Sequence, residues 1–162
     1  MAHETRETSQ DGTASGTSGP ILAGTAAPDA GARITGTRHH QDHSGPGPGI
    51  MAASSLEGET VVDAQGENLG EIEEIMLDVR GGRIAYAVMS VGGFLGVGEK
   101  YFALPWHSFT MDTDNKRFIL DVDKERLLKA PGFDQNEWPS MADKRWASEI
   151  HDYYGARPYW EK

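Results

Sequence analysis

The sequence predicts a mainly β chain: a small antiparallel barrel or strongly bent sheet of five or six short strands, with a disordered N-terminal tail and short C-terminal helices. Three observations carry this. Apolar residues alternate with period two along several short runs between about residues 56 and 122. Glycine and Asx-rich turn signals separate those runs. Helical periodicity and capping signals begin only at Asp123.

Residues 1–53 hold no strand signal. They are rich in Gly, Thr, Ala, Ser and Pro, and the first 50 contain no Phe, Tyr or Trp. Too little apolar surface is available there to offset the entropy of ordering the backbone, so this tail is expected to stay disordered. The chain as a whole, at 162 residues, is 38% hydrophobic, below the roughly 45–50% of a typical globular chain. The remainder divides into a β domain at 54–123 and a helical, aromatic-rich extension at 124–162 that packs on it.

Each strand has its own signal. Leu56 and Val61-Val62 mark the first, and Asp63 to Asn68 interrupts it. The second runs from about Leu69 to Val79, where Ile75, Leu77 and Val79 alternate with Met76 and Asp78. Ile72 is out of phase with Ile75, which one extra residue in a β-bulge would repair. Gly81-Gly82 then predicts a hairpin into Arg83–Val91. That strand is apolar on both faces, more than a lone small barrel needs, which suggests a homodimer. The glycine-rich stretch Gly92–Gly98 leads to Tyr101–Trp106, and an Asp112–Lys116 turn precedes Phe118, Leu120 and Val122.

Two helices are expected after that. Asp123 can cap a short one ending before Pro131. Ser140 and Asp143 have capping-box spacing ahead of a second, whose apolar face would hold Ala142, Trp146, Ile150 and Tyr153 or Tyr154; Gly155 and Pro158 end it.

In order along the chain, Leu56-Glu57-Gly58, Gly66 to Ile72, Asp78 to Tyr86, Gly92 to Lys100 and Ala103-Leu104-Pro105-Trp106 resemble the PRC-barrel family over roughly residues 54–133. The segment Asp123 to Phe133 is similar to the tail of its stand-alone bacterial members. The resemblance implies a small, mostly antiparallel barrel. The cytoplasmic domain of the photosynthetic reaction-centre H subunit and the C-terminal domain of a ribosome-maturation factor share that barrel, and both use it as a non-enzymatic docking or assembly module.

Composition narrows the functions. There is no cysteine, which excludes disulfides, thiol nucleophiles and thiolate metal sites. The net charge of −10, with 13 acidic against 5 basic residues in 51–123, disfavours a nucleic-acid partner. No apolar run reaches the ~20 residues that span a bilayer, and the polar start Met1 to Gln10 has no signal-peptide core, so a cytoplasmic location without membrane insertion is expected.

No motif demands catalysis. His39-His40-Gln41-Asp42-His43 could touch a metal ion, but a tail offers no second shell to fix such ligands. The Gly93 to Gly98 stretch runs toward a strand rather than a helix N-terminus, as a phosphate loop would not. Glu71, Glu73, Glu74 and Asp78 read as a solvated strand face rather than an acid–base pair. His107-Ser108 are sequence neighbours with no nucleophile elbow, and Trp106 reads as a core anchor.

No catalytic, cofactor-binding or metal residues are therefore assigned, and no cofactor is expected. The expected function is a protein–protein interaction or assembly module. Its candidate surface is Phe94, Leu95, Tyr101, Trp106, Trp146, Tyr153, Tyr154, Tyr159 and Trp160, since aromatic side chains bury much area and form binding hot spots. The alternatives are a ribosome or RNA-assembly accessory factor, by analogy with the maturation factor, and a metal-dependent enzyme or metal-binding protein using the tail histidines.

Overall fold

A computed structural model describes residues 31–36, 49–92 and 98–161. Eight strands form one sheet: β1 (Arg33–Thr35), β2 (Thr60–Val62), β3 (Asn68–Asp78), β4 (Arg83–Val91), β5 (Lys100–Pro105), β6 (Phe109–Asp112), β7 (Arg117–Leu120) and β8 (Gly132–Phe133). Two α-helices follow the β-rich part, α1 (Lys124–Leu128) and α2 (Lys144–Tyr154).

The sheet order is β1-β6-β7-β2-β3-β4-β5-β8. β1 pairs with β6, and β2 with β7, in parallel; the other pairings are antiparallel. The sheet is mixed, and among the described residues backbone hydrogen bonds do not close it.

The long hairpin of β3 and β4 is its centre, and the register explains the phase slip in the sequence. The β3–β4 ladder shifts between Ile72 and Glu74, and this bulge lets Ile72 turn inward at 1% exposure. Asp78 shapes the turn: its carboxylate accepts from the Gly81 amide at 3.0 Å and pairs with Arg83 at 3.5 Å. The β6–β7 turn is built similarly. The buried carboxylate of Asp112 accepts from the amides of Asp114 and Asn115, from Asn115 Nδ2 at 2.7 Å and from Arg117 Nε at 3.1 Å. Those donors hold its pKa below the usual carboxylate range.

The core joins both regions. Phe102, Leu104, Phe109, Phe118 and Leu120 from the sheet pack in one cluster with Leu127 of α1 and Ala147, Ile150 and Tyr154 of α2. Ala85 to Val91 are all buried. α2 packs against β5, and Tyr86 of β4 meets Trp146 and Tyr159 edge-on with ring centroids 5.5 and 5.6 Å apart. The apolar surface of β4 that suggested a second copy is covered within the chain.

The helix ends follow simple chemistry. Asp123 caps α1 by accepting from the Arg126 amide at 2.7 Å. Asp123→Ala should destabilise the fold by about 1 kcal/mol, measured by urea unfolding. For α2 the sequence placed the cap at Ser140, whereas Asp143 occupies that position and accepts from the Arg145 amide at 2.8 Å. The helix therefore starts a turn later and Ala142 is exposed outside it. Its buried face is Ala147, Ile150, His151 and Tyr154.

Three short strands had no clear sequence signal. β1 lies inside the segment expected to be tail; its three residues extend the sheet along β6, and Arg33 Nε donates to Thr110 Oγ1 at 3.2 Å. β6 and β8 likewise coincide with no strand that the sequence predicts.

Candidate interaction surface

Most of the aromatic residues singled out in the sequence serve the fold itself. Tyr101 and Tyr154 are buried, at 4% and 9% exposure, so neither offers a surface. Trp106 is half-buried and lies against Phe118 and Phe109, with centroids 5.8 and 6.2 Å away. It anchors the core where β5 ends.

The others tie the C-terminal segment down. Tyr153 donates its hydroxyl hydrogen to the Arg126 carbonyl at 2.6 Å, and the Arg126 guanidinium donates to the Tyr153 carbonyl at 2.5 Å. The same guanidinium lies over the Tyr153 ring at 5.6 Å, so one pair links α1 to α2 by three contacts. The Arg83 guanidinium donates to the Tyr159 carbonyl and holds the last segment near the β3–β4 hairpin. Trp146, Tyr159 and Trp160 are half-buried around Tyr86 and His151. Phe94 and Leu95 lie outside the described residues, as does the histidine cluster 39–43.

Beneath this aromatic cover sits a residue the sequence analysis passed over. His151 is 1% exposed, with Trp160 at 5.1 Å and a stacked His107 at 5.7 Å. Its Nδ1 is 3.3 Å from the Ala156 carbonyl; a carbonyl only accepts, so Nδ1 carries the hydrogen and Nε2, which has no partner, is bare. Burial, and next the charge of His107, lower its pKa to about 4. It is a neutral core imidazole at neutral pH.

Apolar side chains that the fold does not cover lie elsewhere. On β3 the alternating Ile75, Leu77 and Val79 run out of the core: Ile75 still packs against it, Leu77 is 61% exposed and Val79, in the turn, is 87% exposed. Sequence alternation showed the stripe but not that the hairpin carries it past its covering residues. Trp138 is 41% exposed beside Phe133, its indole N–H donating to the Gln135 carbonyl at 2.8 Å. The nearby carboxylates have separate tasks: Glu73 accepts from Ser90 Oγ at 2.6 Å, Asp78 shapes the turn, and Glu71 and Glu74 face solvent. Among the described residues no group of three or more His, Asp or Glu side chains is placed to hold a metal ion, and no helix is long and apolar enough to cross a membrane.

These features define a mainly β protein built on one eight-stranded mixed sheet, with its two α-helices packed into the same core. The family model of the PRC-barrel domain matches residues 48–127, and this part of the chain belongs to the PRC-barrel family. Among solved structures, the chain is similar to a putative 16S ribosomal RNA processing protein, RimM, from Pseudomonas aeruginosa. Identity is 24%, with a TM-score of 0.33, over 46% of this chain and 45% of that one, so the match spans less than half of either. No curated protein matches.

Proposed function

We propose that the protein is a non-catalytic binding module whose contact surface is the β3–β4 hairpin. The observation that carries this is the exposed pair Leu77 and Val79, apolar area on the hairpin beside the Asp78–Arg83 ion pair. Small apolar spots with charged rims are the usual anatomy of a transient protein interface. The excess of acid in 51–123 selects a neutral or basic protein surface over nucleic acid. In this reading the bent sheet is the PRC-type barrel with its β1 and β8 edges unjoined by backbone hydrogen bonds, supported by the family match. Residues 124–162 are its cover rather than its docking tail. Self-association has less support than the sequence suggested, because the apolar faces of β4 are used internally.

Exchange of both exposed residues, Leu77→Ser with Val79→Ser, tests the proposal. Neither side chain fills the core, so the variant should unfold within roughly 0.5 kcal/mol of wild type. Quantitative cross-linking in the source cells should recover a reproducible set of proteins with the wild-type chain and lose it with the variant. Recovery of the same set by both chains would refute the hairpin as the contact surface.

A further inference from the structure

We propose that the outer edge of β6 is a strand-addition site whose resident occupant is the chain's own Ala32–Gly36. The ligand class is an extended peptide of the pattern small apolar, basic, β-branched, any residue, Gly. The site is formed by strands other than the β3–β4 hairpin and does not depend on that surface. β1 is three residues long and pairs in parallel with β6, Arg33 opposite Thr110, Ile34 opposite Met111 and Thr35 opposite Asp112. β1 ends the strand order, so without it β6 would be the edge. An edge strand presents a row of unpaired N–H and C=O groups, a template for another extended chain.

What marks the edge as a site is that nearly every position of the segment has its own complement. Ala32 packs half-buried against the core, and Ile34 is half-buried two residues on. Between them the exposed Arg33 donates from Nε to Thr110 Oγ1 at 3.2 Å. The Thr35 side is read through its carbonyl alone, which accepts from the Thr113 amide and the Thr113 hydroxyl, each at 3.0 Å. Gly36 closes the pattern at a φ of +119°, where a Cβ would lie 2.4 Å from Thr113 Oγ1 and 3.1 Å from the Asp114 amide nitrogen. Main-chain bonds that hold and alternate side chains that specify are the division of labour of strand-addition recognition.

The energetics make this occupant exchangeable. No residue of the segment is fully buried, so little apolar area holds it and its intrinsic affinity is on the order of 1 mM. Covalent attachment supplies an effective concentration in the millimolar range, which keeps the edge covered most of the time. A separate peptide of the same pattern, presented by a partner protein, can therefore compete for it. The acid excess of residues 51–123, 13 acidic against 5 basic, favours a basic competitor over an acidic one.

The test uses the full chain carrying Ala32→Asp with Ile34→Asp, which unseats the segment, and a synthetic peptide of residues 30–37. In NMR spectra the amides of residues 110–113 should move on substitution. They should return toward their wild-type positions as peptide is added, saturating by about 5 mM. By fluorescence anisotropy of the labelled peptide, the wild-type chain should bind about tenfold more weakly than the variant, because its own segment competes. A peptide carrying Gly36→Val should bind the variant about tenfold more weakly than the native peptide, for want of a residue that tolerates the positive φ. The variant should melt within about 8 °C of wild type, since only a docked segment is lost. The proposal is overturned if the peptide leaves the variant's 110–113 amides unmoved at about 5 mM. Equal binding by the two chains, or of the two peptides, overturns it as well. So does a larger fall in melting temperature, because β1 would then be an integral strand rather than a bound ligand.

Discussion

Gly70→Ala should destabilise the protein by more than about 3 kcal/mol, enough to consume much of the stability of a small domain. Gly70 sits in β3 at a φ of +155°, opposite Val61 of β2. A Cβ there would lie 2.0 Å from the Ser90 carbonyl oxygen, 3.1 Å from its carbon and 3.2 Å from Met89 Cγ. The first two atoms are backbone of β4, which is paired on both sides, Ser90 opposing Glu71 in β3 and Tyr101 in β5. Moving that carbonyl would break the ladder at the centre of the sheet. Gly58 is the control: its φ of +79° is left-handed but its surroundings are open. Gly58→Ala should therefore cost only about 1 kcal/mol of backbone strain. Urea unfolding followed by tryptophan fluorescence, with soluble yield, separates the two. A Gly70→Ala protein within about 1 kcal/mol of wild type would show that the sheet accommodates a methyl group there.

Gly70 also illustrates what the sequence could reveal. Turn glycines, the Ile72–Ile75 phase slip and the period-two runs report local backbone geometry, so β2 to β5, β7 and the bulge were legible. The Asp123 cap was legible for the same reason. β1, β6 and β8 were not, because their pairing comes from distant partners such as Thr110 for Arg33. The aromatic residues misled for a different reason. Composition marks Tyr101, Trp146 and Tyr154 as large and apolar, but whether such a ring meets its own sheet or another molecule is set by tertiary packing. Leu77 and Val79 invert the case: an ordinary strand pattern implied a covered face, but the β3–β4 ladder shifts between Met76 and Leu77 and both side chains are bare.

Buried His151 makes the fold sensitive to mild acid. The unfolded chain titrates this histidine near 6.5, whereas in the folded state its pKa is lowered to about 4. Between those values the unfolded chain binds more protons, so stability falls as pH is lowered. The contribution is complete above pH 6.5, is lost as pH falls through 6.5 and stops declining near 4. From pH 7.5 to 5 the loss should be about 2 kcal/mol. His107 stacks on His151 and is lowered in the same direction by its own burial, so it adds to the loss. Asp112, whose pKa is depressed, loses its contribution only at lower pH and does not obscure this window. His151→Phe keeps a ring against Trp160 and Tyr86 but removes the proton site, at the cost of the Ala156 hydrogen bond, about 1 kcal/mol. The variant should thus be slightly less stable than wild type at pH 7.5 and equal or more stable at pH 5. Parallel stability–pH curves for the two proteins would mean that the imidazole takes up its proton without unfolding the aromatic cover.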